Sequence, residues 1–216
     1  MGTAEPRPRA TNDHSKDHFN LRIAESDHRI ANSLSVTAAL LRAQREQSDD
    51  SAVQSALISA EARIISIAKF HAYLHRRSST ERVNLADAFA EILPVMARGI
   101  GIRCLLAVEA AETLVVSKRM ARQLLVIVNE LALNALKHGY RGQQGACISV
   151  ELVMDGADRL KLVMADSGAG LDDDFDPNTC SGLGMKIVSS LVSELGGSMQ
   201  CRTNGGAQFT ITIPLG

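Results

Sequence analysis

Between Asn129 and Gly139 the chain reads Asn-Glu-Leu-Ala-Leu-Asn-Ala-Leu-Lys-His-Gly, with Asn134 four residues after Glu130, and Lys137 and His138 three and four after Asn134. A helix through this stretch carries all four on one stripe. A carboxylate, an amide oxygen and cations in a line can orient a magnesium ion and its attached phosphates, because hard cations take oxygen ligands. The same stripe would also serve as an ordinary solvated face, with His138-Gly139 as a plain helix end. Further on, Leu160 to Ala165 reads as a strand running into Asp166-Ser-Gly-Ala-Gly170. Gly168 and Gly170 let a ligand approach the backbone there, while the Asp166 carboxylate accepts a hydrogen bond from an amine such as that of adenine. A third element, Ser181-Gly-Leu-Gly-Met185, opens a helix on Gly182, Leu183 and Gly184. Free N–H groups and the positive end of the dipole at such a start suit phosphate oxygens. Each of the three is a weak signal alone. The sequence has no GxxxxGK[ST] run, so a P-loop is excluded as the nucleotide cradle.

These groups need a scaffold, and the hydrophobic pattern supplies one. Ile23, Asp27, Ile30, Leu34, Thr37 and Leu41 recur at alternating steps of four and three, the spacing of a helix in a bundle, with Asp27 the polar member. Gln47 to Ser51 is a turn with a ready N-cap, after which Val53, Leu57, Ala60, Ile64, Ile67 and Leu74 trace a second helix. Such a hairpin has too little core alone; two of them about a twofold axis bury both stripes as a four-helix bundle, so a homodimer is expected. Residues 1–16 have little to bury and are expected as a flexible tail, residues 17–80 as the hairpin, and Arg76 to Thr80 as its closing linker. Over 83–216 the pattern predicts helices near 85–98, 118–138 and 184–195, and strands near 102–108, 146–154, 159–165, 198–203 and 207–213. That is an α+β sandwich, with helices on one face of a mixed sheet.

The 216 residues carry a formal net charge of −1 and 45% hydrophobic content, a balance that points to neither nucleic acid nor an anionic membrane. No apolar run is long enough to span a bilayer, and the first residues lack a signal-peptide centre, so a cytoplasmic location is expected. Cys104, Cys147, Cys180 and Cys201 form no CxxC pair and are expected as reduced, mostly buried thiols, with Cys180 in a polar loop.

The order of the motifs is more specific than any one of them: polar helix stripe, strand ending in DxGxG, a loop of about a dozen residues, GLGM opening a helix, then a Gly-Gly turn and closing strands. In this the sequence resembles the GHKL (Bergerat-fold) ATPase superfamily, in particular the catalytic domain of two-component histidine kinases. Asn129 to Gly139 matches the N-box, Asp166 to Gly170 the G1 box and Gly182 to Gly184 the G2 box. The resemblance implies ATP and Mg2+ as cofactors. Asn134 would hold the metal, Asp166 would read the adenine amine, and Gly168, Gly170, Gly182 and Gly184 would shape the pocket. Glu130, Lys137 and His138 would lie near the phosphates, Leu171 to Ser181 would be a short lid, and Phe175 is the one candidate for a phenylalanine box. Ser26-Asp-His-Arg-Ile-Ala-Asn-Ser-Leu34 resembles the H-box of the branch whose phosphoacceptor reads His-Arg-x-x-Asn-x-Leu. His28 would then be the phosphorylated residue, since an imidazole near neutral pH keeps a free ring nitrogen that can attack the γ-phosphate. Arg29 stands where many such kinases carry an acid, and the chain has no Trp.

The resulting expectation is a homodimeric kinase core that autophosphorylates on His28 and passes the phosphoryl group to an aspartate of a response regulator receiver domain. With no room for a sensor before the hairpin, input would come from a separate sensor protein or not be needed. A histidine phosphotransferase with a non-catalytic nucleotide domain is the first alternative. A serine kinase and anti-sigma factor on the same domain is the second, disfavoured by the hairpin.

Overall fold

The computed structural model describes residues 13–76, 81–99, 102–108, 114–140, 146–172, 175–177 and 182–215, with side chains from Arg29 onward except those of residues 74–76 and Val108. Most of the expected tail, the linker at 77–80, Cys180, Ser181 and the side chain of His28 lie outside the described residues.

Helices α1 (Asp13–Glu46) and α2 (Ser51–Arg76) form the hairpin. Asp50 starts α2 as its cap: Oδ1 accepts from the backbone N–H of Ala52 at 2.7 Å and of Val53 at 3.4 Å. On α1 the covered positions are Ala31, Leu34, Ala38, Leu41 and Arg45, again at steps of three and four. Ile30 and Thr37, expected on the seam, are exposed, as are Val36, Leu40 and Val53. The hairpin thus carries more apolar surface than its two helices cover for each other. Near the turn, α1 clasps α2 through a buried carboxylate: Arg42 Nη2 lies 2.5 Å from Glu61 Oε1 and Arg45 Nη1 3.1 Å from Glu61 Oε2.

The opposite side of α2 packs into the rest of the chain. Ala62, Phe70 and Tyr73 share one buried cluster with Leu85, Phe89, Leu124 and Val128, and Arg122 stands 6.0 Å above the Phe70 ring. After β1 (Arg82–Asn84) come α3 (Leu85–Gly99), β2 (Arg103–Val108), β3 (Val115–Ser117) and α4 (Lys118–Asn134). These are followed by β4 (Cys147–Met154), β5 (Arg159–Asp166), α5 (Leu183–Glu194), β6 (Ser198–Thr203) and β7 (Ala207–Pro214). Strands β1 and β3 pair antiparallel through Val83 and Val116; at three residues each they are too short to show a period of two, and the sequence pattern does not reveal them. The main sheet runs β2-β4-β5-β7-β6, with β2 parallel to β4 and the other pairs antiparallel. Ile148, Val150, Leu152, Leu160, Leu162, Met164, Phe209, Ile211 and Ile213 are buried at alternate positions of β4, β5 and β7, and form the inner face of the expected sandwich.

Cys104, Cys147 and Cys201 are in no disulfide and only half-buried, less covered than the sequence suggests; Cys104 and Cys201 sit on the edge strands β2 and β6, and Cys147 is the first residue of β4. Partial burial and the neighbouring Cys147 push the Cys104 thiol from 9.0 up to about 11, which leaves it protonated and unreactive at neutral pH.

Candidate nucleotide site

The N-box helix does not stay α-helical to its end. Ser117 caps α4, its Oγ accepting from Met120 N–H at 3.1 Å, and α-geometry holds to Asn134. Ala135–Gly139 then forms a π-helical turn, closed by Tyr140 N–H donating to Ala135 O at 3.1 Å. The wider turn shifts Lys137 and His138 around the axis, so the single stripe that uniform α-spacing predicts is split. Glu130 is 1% exposed, Asn134 is half-buried, and Lys137 and His138 are exposed at the rim of a cavity.

Tyr140, just past the π turn, joins the N-box to the DxGxG loop. Its hydroxyl donates to Cys147 O at 2.6 Å, accepts from Cys147 N–H and Ser167 N–H at 3.0 and 2.9 Å, and lies 2.8 Å from Ser167 Oγ. Gly139 O accepts from Ala169 N–H at 3.0 Å, and a Cβ on Gly168 would stand 2.6 Å from the Gly139 backbone. Only glycine permits that approach. Asp166 ends β5 in the same place. Gly168 N–H at 2.8 Å and Ala207 N–H at 3.1 Å both donate to its Oδ1, which fixes the carboxylate and leaves Oδ2 for a ligand's amine. Gly206, at φ +152°, passes so close to the Asp166 carbonyl that a Cβ there would overlap it.

Helix α5 opens on Gly182, whose backbone is extended and which offers no side-chain cap, so the first N–H groups of α5 remain available to an anion. A Cβ on Gly184 would stand 2.9 Å from Glu130 Oε2 and 3.5 Å from Asn134 Oδ1, so two oxygen donors converge on the first turn of α5. Of the two, the Asn134 oxygen lines the cavity and suits Mg2+. Among the described residues no group of three or more His, Cys, Asp or Glu could hold a metal alone, and Mg2+ commonly takes its remaining oxygens from phosphates and water.

The structure brings Asn134, Lys137, His138, Asp166, Gly170, Gly182, Leu183 and Gly184 to the walls of one cavity of about 690 Å3, within the range of small-ligand sites. Leu183 is exposed at its mouth, and Phe175 lines it while meeting Phe209 edge-on at 6.1 Å between ring centres. Gly168 stands behind the wall as the packing partner of Gly139. Glu130 is also behind it, and here the sequence reading missed a partner. Arg63 of α2 binds Glu130 through two contacts, Nε to Oε1 at 2.5 Å and Nη2 to Oε2 at 2.6 Å. Beside it, Ser66 Oγ lies 2.9 Å from Oδ1 of the buried Asn129. The trace of this in the sequence is the charge of Arg63 among the apolar residues Ala60, Ala62, Ile64 and Ile65 of the second helix.

Comparison with known proteins agrees with this arrangement. Residues 25–98 match a histidine kinase family model (HisKA_2), and residues 120–216 match the family of histidine kinase-, DNA gyrase B- and HSP90-like ATPases. Sensor histidine kinase PdtaS of Mycolicibacterium smegmatis is 32% identical over 200 residues, covering 90% of this chain and 40% of that protein. Blue-light-activated histidine kinase 2 of Erythrobacter litoralis is 24% identical over 220 residues, covering 100% of this chain and 61% of that one. The chain therefore spans about two-fifths to three-fifths of the length of these curated relatives. The solved histidine kinase domain of a blue-light activated kinase from Erythrobacter litoralis has the same fold, with a TM-score of 0.61 at 21% identity, covering 94% of this chain and 95% of that one. No helix among the described residues is long and apolar enough to cross a membrane. With a phosphoacceptor-type hairpin and an ATPase fold matched in that order, the chain belongs to the two-component histidine kinases, as the core of such a protein.

Proposed function

We propose that the cavity binds ATP with Mg2+ and that the chain phosphorylates its own His28, then hands the phosphoryl group to an aspartate of a response regulator receiver domain. The observation that carries this reading is the convergence of three groups on one cavity: a backbone-fixed Asp166 carboxylate, the open N-terminus of α5, and the amide oxygen of Asn134. Asp166 reads the adenine amine, α5 holds phosphate oxygens, and Asn134 holds Mg2+, which offsets the charge that builds on the transferring group. Lys137 and His138 at the rim add positive or donor character on the phosphate side. A ring nitrogen of His28 forms the new P–N bond as the bond to the ADP oxygen breaks, and the receiver carboxylate later takes the phosphoryl group from it. His28 lies on α1, within the match to the histidine kinase family. Dimerisation through the hairpin follows from the apolar residues it leaves uncovered, Ile30, Val36, Leu40 and Val53, and input from a separate sensor protein fits the same scheme.

The test is incubation with γ-labelled ATP. Acid-labile, alkali-stable label is expected on the native chain and none on His28→Gln, with ATP affinity equal in both. Label that persists in His28→Gln removes that residue from the mechanism, and acid-stable label would favour a serine kinase.

A further inference from the structure

We propose that Arg63, a residue of the phosphotransfer hairpin, is part of the phosphate subsite of the nucleotide pocket in the same chain. This rests on the nucleotide reading of the cavity. Ala56, Ser59 and Arg63 follow one another at steps of three and four along one face of α2, and all three line the cavity. Its wall is therefore completed by a helix that sequence organisation assigns to a different unit. Arg63 stands at the phosphate end: its Nη2 is 3.7 Å from where a Cβ on Gly184 would stand, in the first turn of α5.

The guanidinium is held for this task. Nε and Nη2 each give a hydrogen bond to Glu130, which fixes the plane of the group and leaves Nη1 with its two N–H donors for another acceptor. Arginine's planar fork is suited to binding one carboxylate and one phosphate together. Glu130 is almost wholly buried, while the Arg63 side chain is 28% exposed, so the cation and not the carboxylate meets an incoming anion. An anionic Glu130 facing the pocket would repel phosphate; paired with Arg63 it becomes a neutral support for a donor. Nucleotide binding and hairpin docking are then linked through one side chain, each favouring the other.

The experiment is calorimetric titration of the full chain with ATP, ADP and adenosine, with Mg2+ and in its absence. Removing Arg63 alone leaves a buried carboxylate without its partner and can unfold the chain, so the decisive pair is Glu130→Gln against Arg63→Ala/Glu130→Gln. Loss of a charge-assisted phosphate contact is expected to weaken ATP and ADP about tenfold or more in the double variant, with adenosine unchanged. Equal ATP affinity in the two variants overturns the assignment, and so does an equal loss for adenosine, which would make Arg63 a support of the fold only. A native chain that binds adenosine and ATP alike also overturns it, and one that binds neither removes the nucleotide reading itself.

Discussion

Asp166 and its glycine neighbours divide base recognition between a carboxylate and the backbone that aims it. In Asp166→Asn the amide oxygen can still accept from Gly168 and Ala207, but the other position becomes a donor that faces the adenine amine. ATP affinity should fall by about 1.5–3 kcal/mol, whereas Asp172→Asn in the lid should change it little, as titration calorimetry will show. Gly206→Ala sets a Cβ into the Asp166 carbonyl and is expected to cost about 1–3 kcal/mol of stability and to abolish nucleotide binding. Gly205→Ala is the control. Its φ of +66° makes it costly as well, but open space surrounds it, so it should lower the melting point and spare affinity. The glycines and Asp166 were legible in the sequence because their spacing is local. Tyr140 was not, since its four partners come from two other segments and a lone Tyr after a helix end signals nothing.

At the level of elements, periodicity located nearly every helix and strand of the fold, with β1 and β3 too short to show. It also placed Glu130, Asn134, Lys137 and His138 on one helix, but assumed uniform α-geometry where the chain inserts a π turn. Helix α2 is the larger surprise, because its apolar stripe suits a hairpin and gives no hint of a second partner. Phe70, 1% exposed, joins it to α4, and Phe70→Ala should cost about 3–5 kcal/mol by chemical denaturation. For the same reason a fragment of residues 83–216 loses Ala56, Ser59 and Arg63 from its cavity and the cover over its helices. It is expected to melt below the full chain and to bind ATP more weakly, measured side by side.

For the whole molecule, the relation between the cavity and His28 matters most. Counted from the turn that joins the two helices, Arg63 is some six residues nearer than His28, about 9 Å along the hairpin axis at 1.5 Å per residue. A γ-phosphate beside Arg63 is thus not level with the His28 of the same hairpin. The docked arrangement is expected to be a resting one, from which the ATPase unit must move before transfer. A disulfide between Ser66→Cys and Asn129→Cys, whose native side chains meet at 2.9 Å, would hold it closed in a background free of the native cysteines. Oxidation should suppress autophosphorylation and leave ATP affinity intact, with reductant restoring the label; unchanged labelling under oxidant would show that the docked form is itself active.

Because Phe70 and Tyr73 of α2 lie in the same buried cluster as the core of the sheet-bearing half, heat cannot melt the hairpin and leave the remainder untouched. The two halves should give one calorimetric endotherm, with calorimetric and van't Hoff enthalpies in agreement. Phe70→Ala, by loosening that shared cluster, should broaden the transition or split it in two.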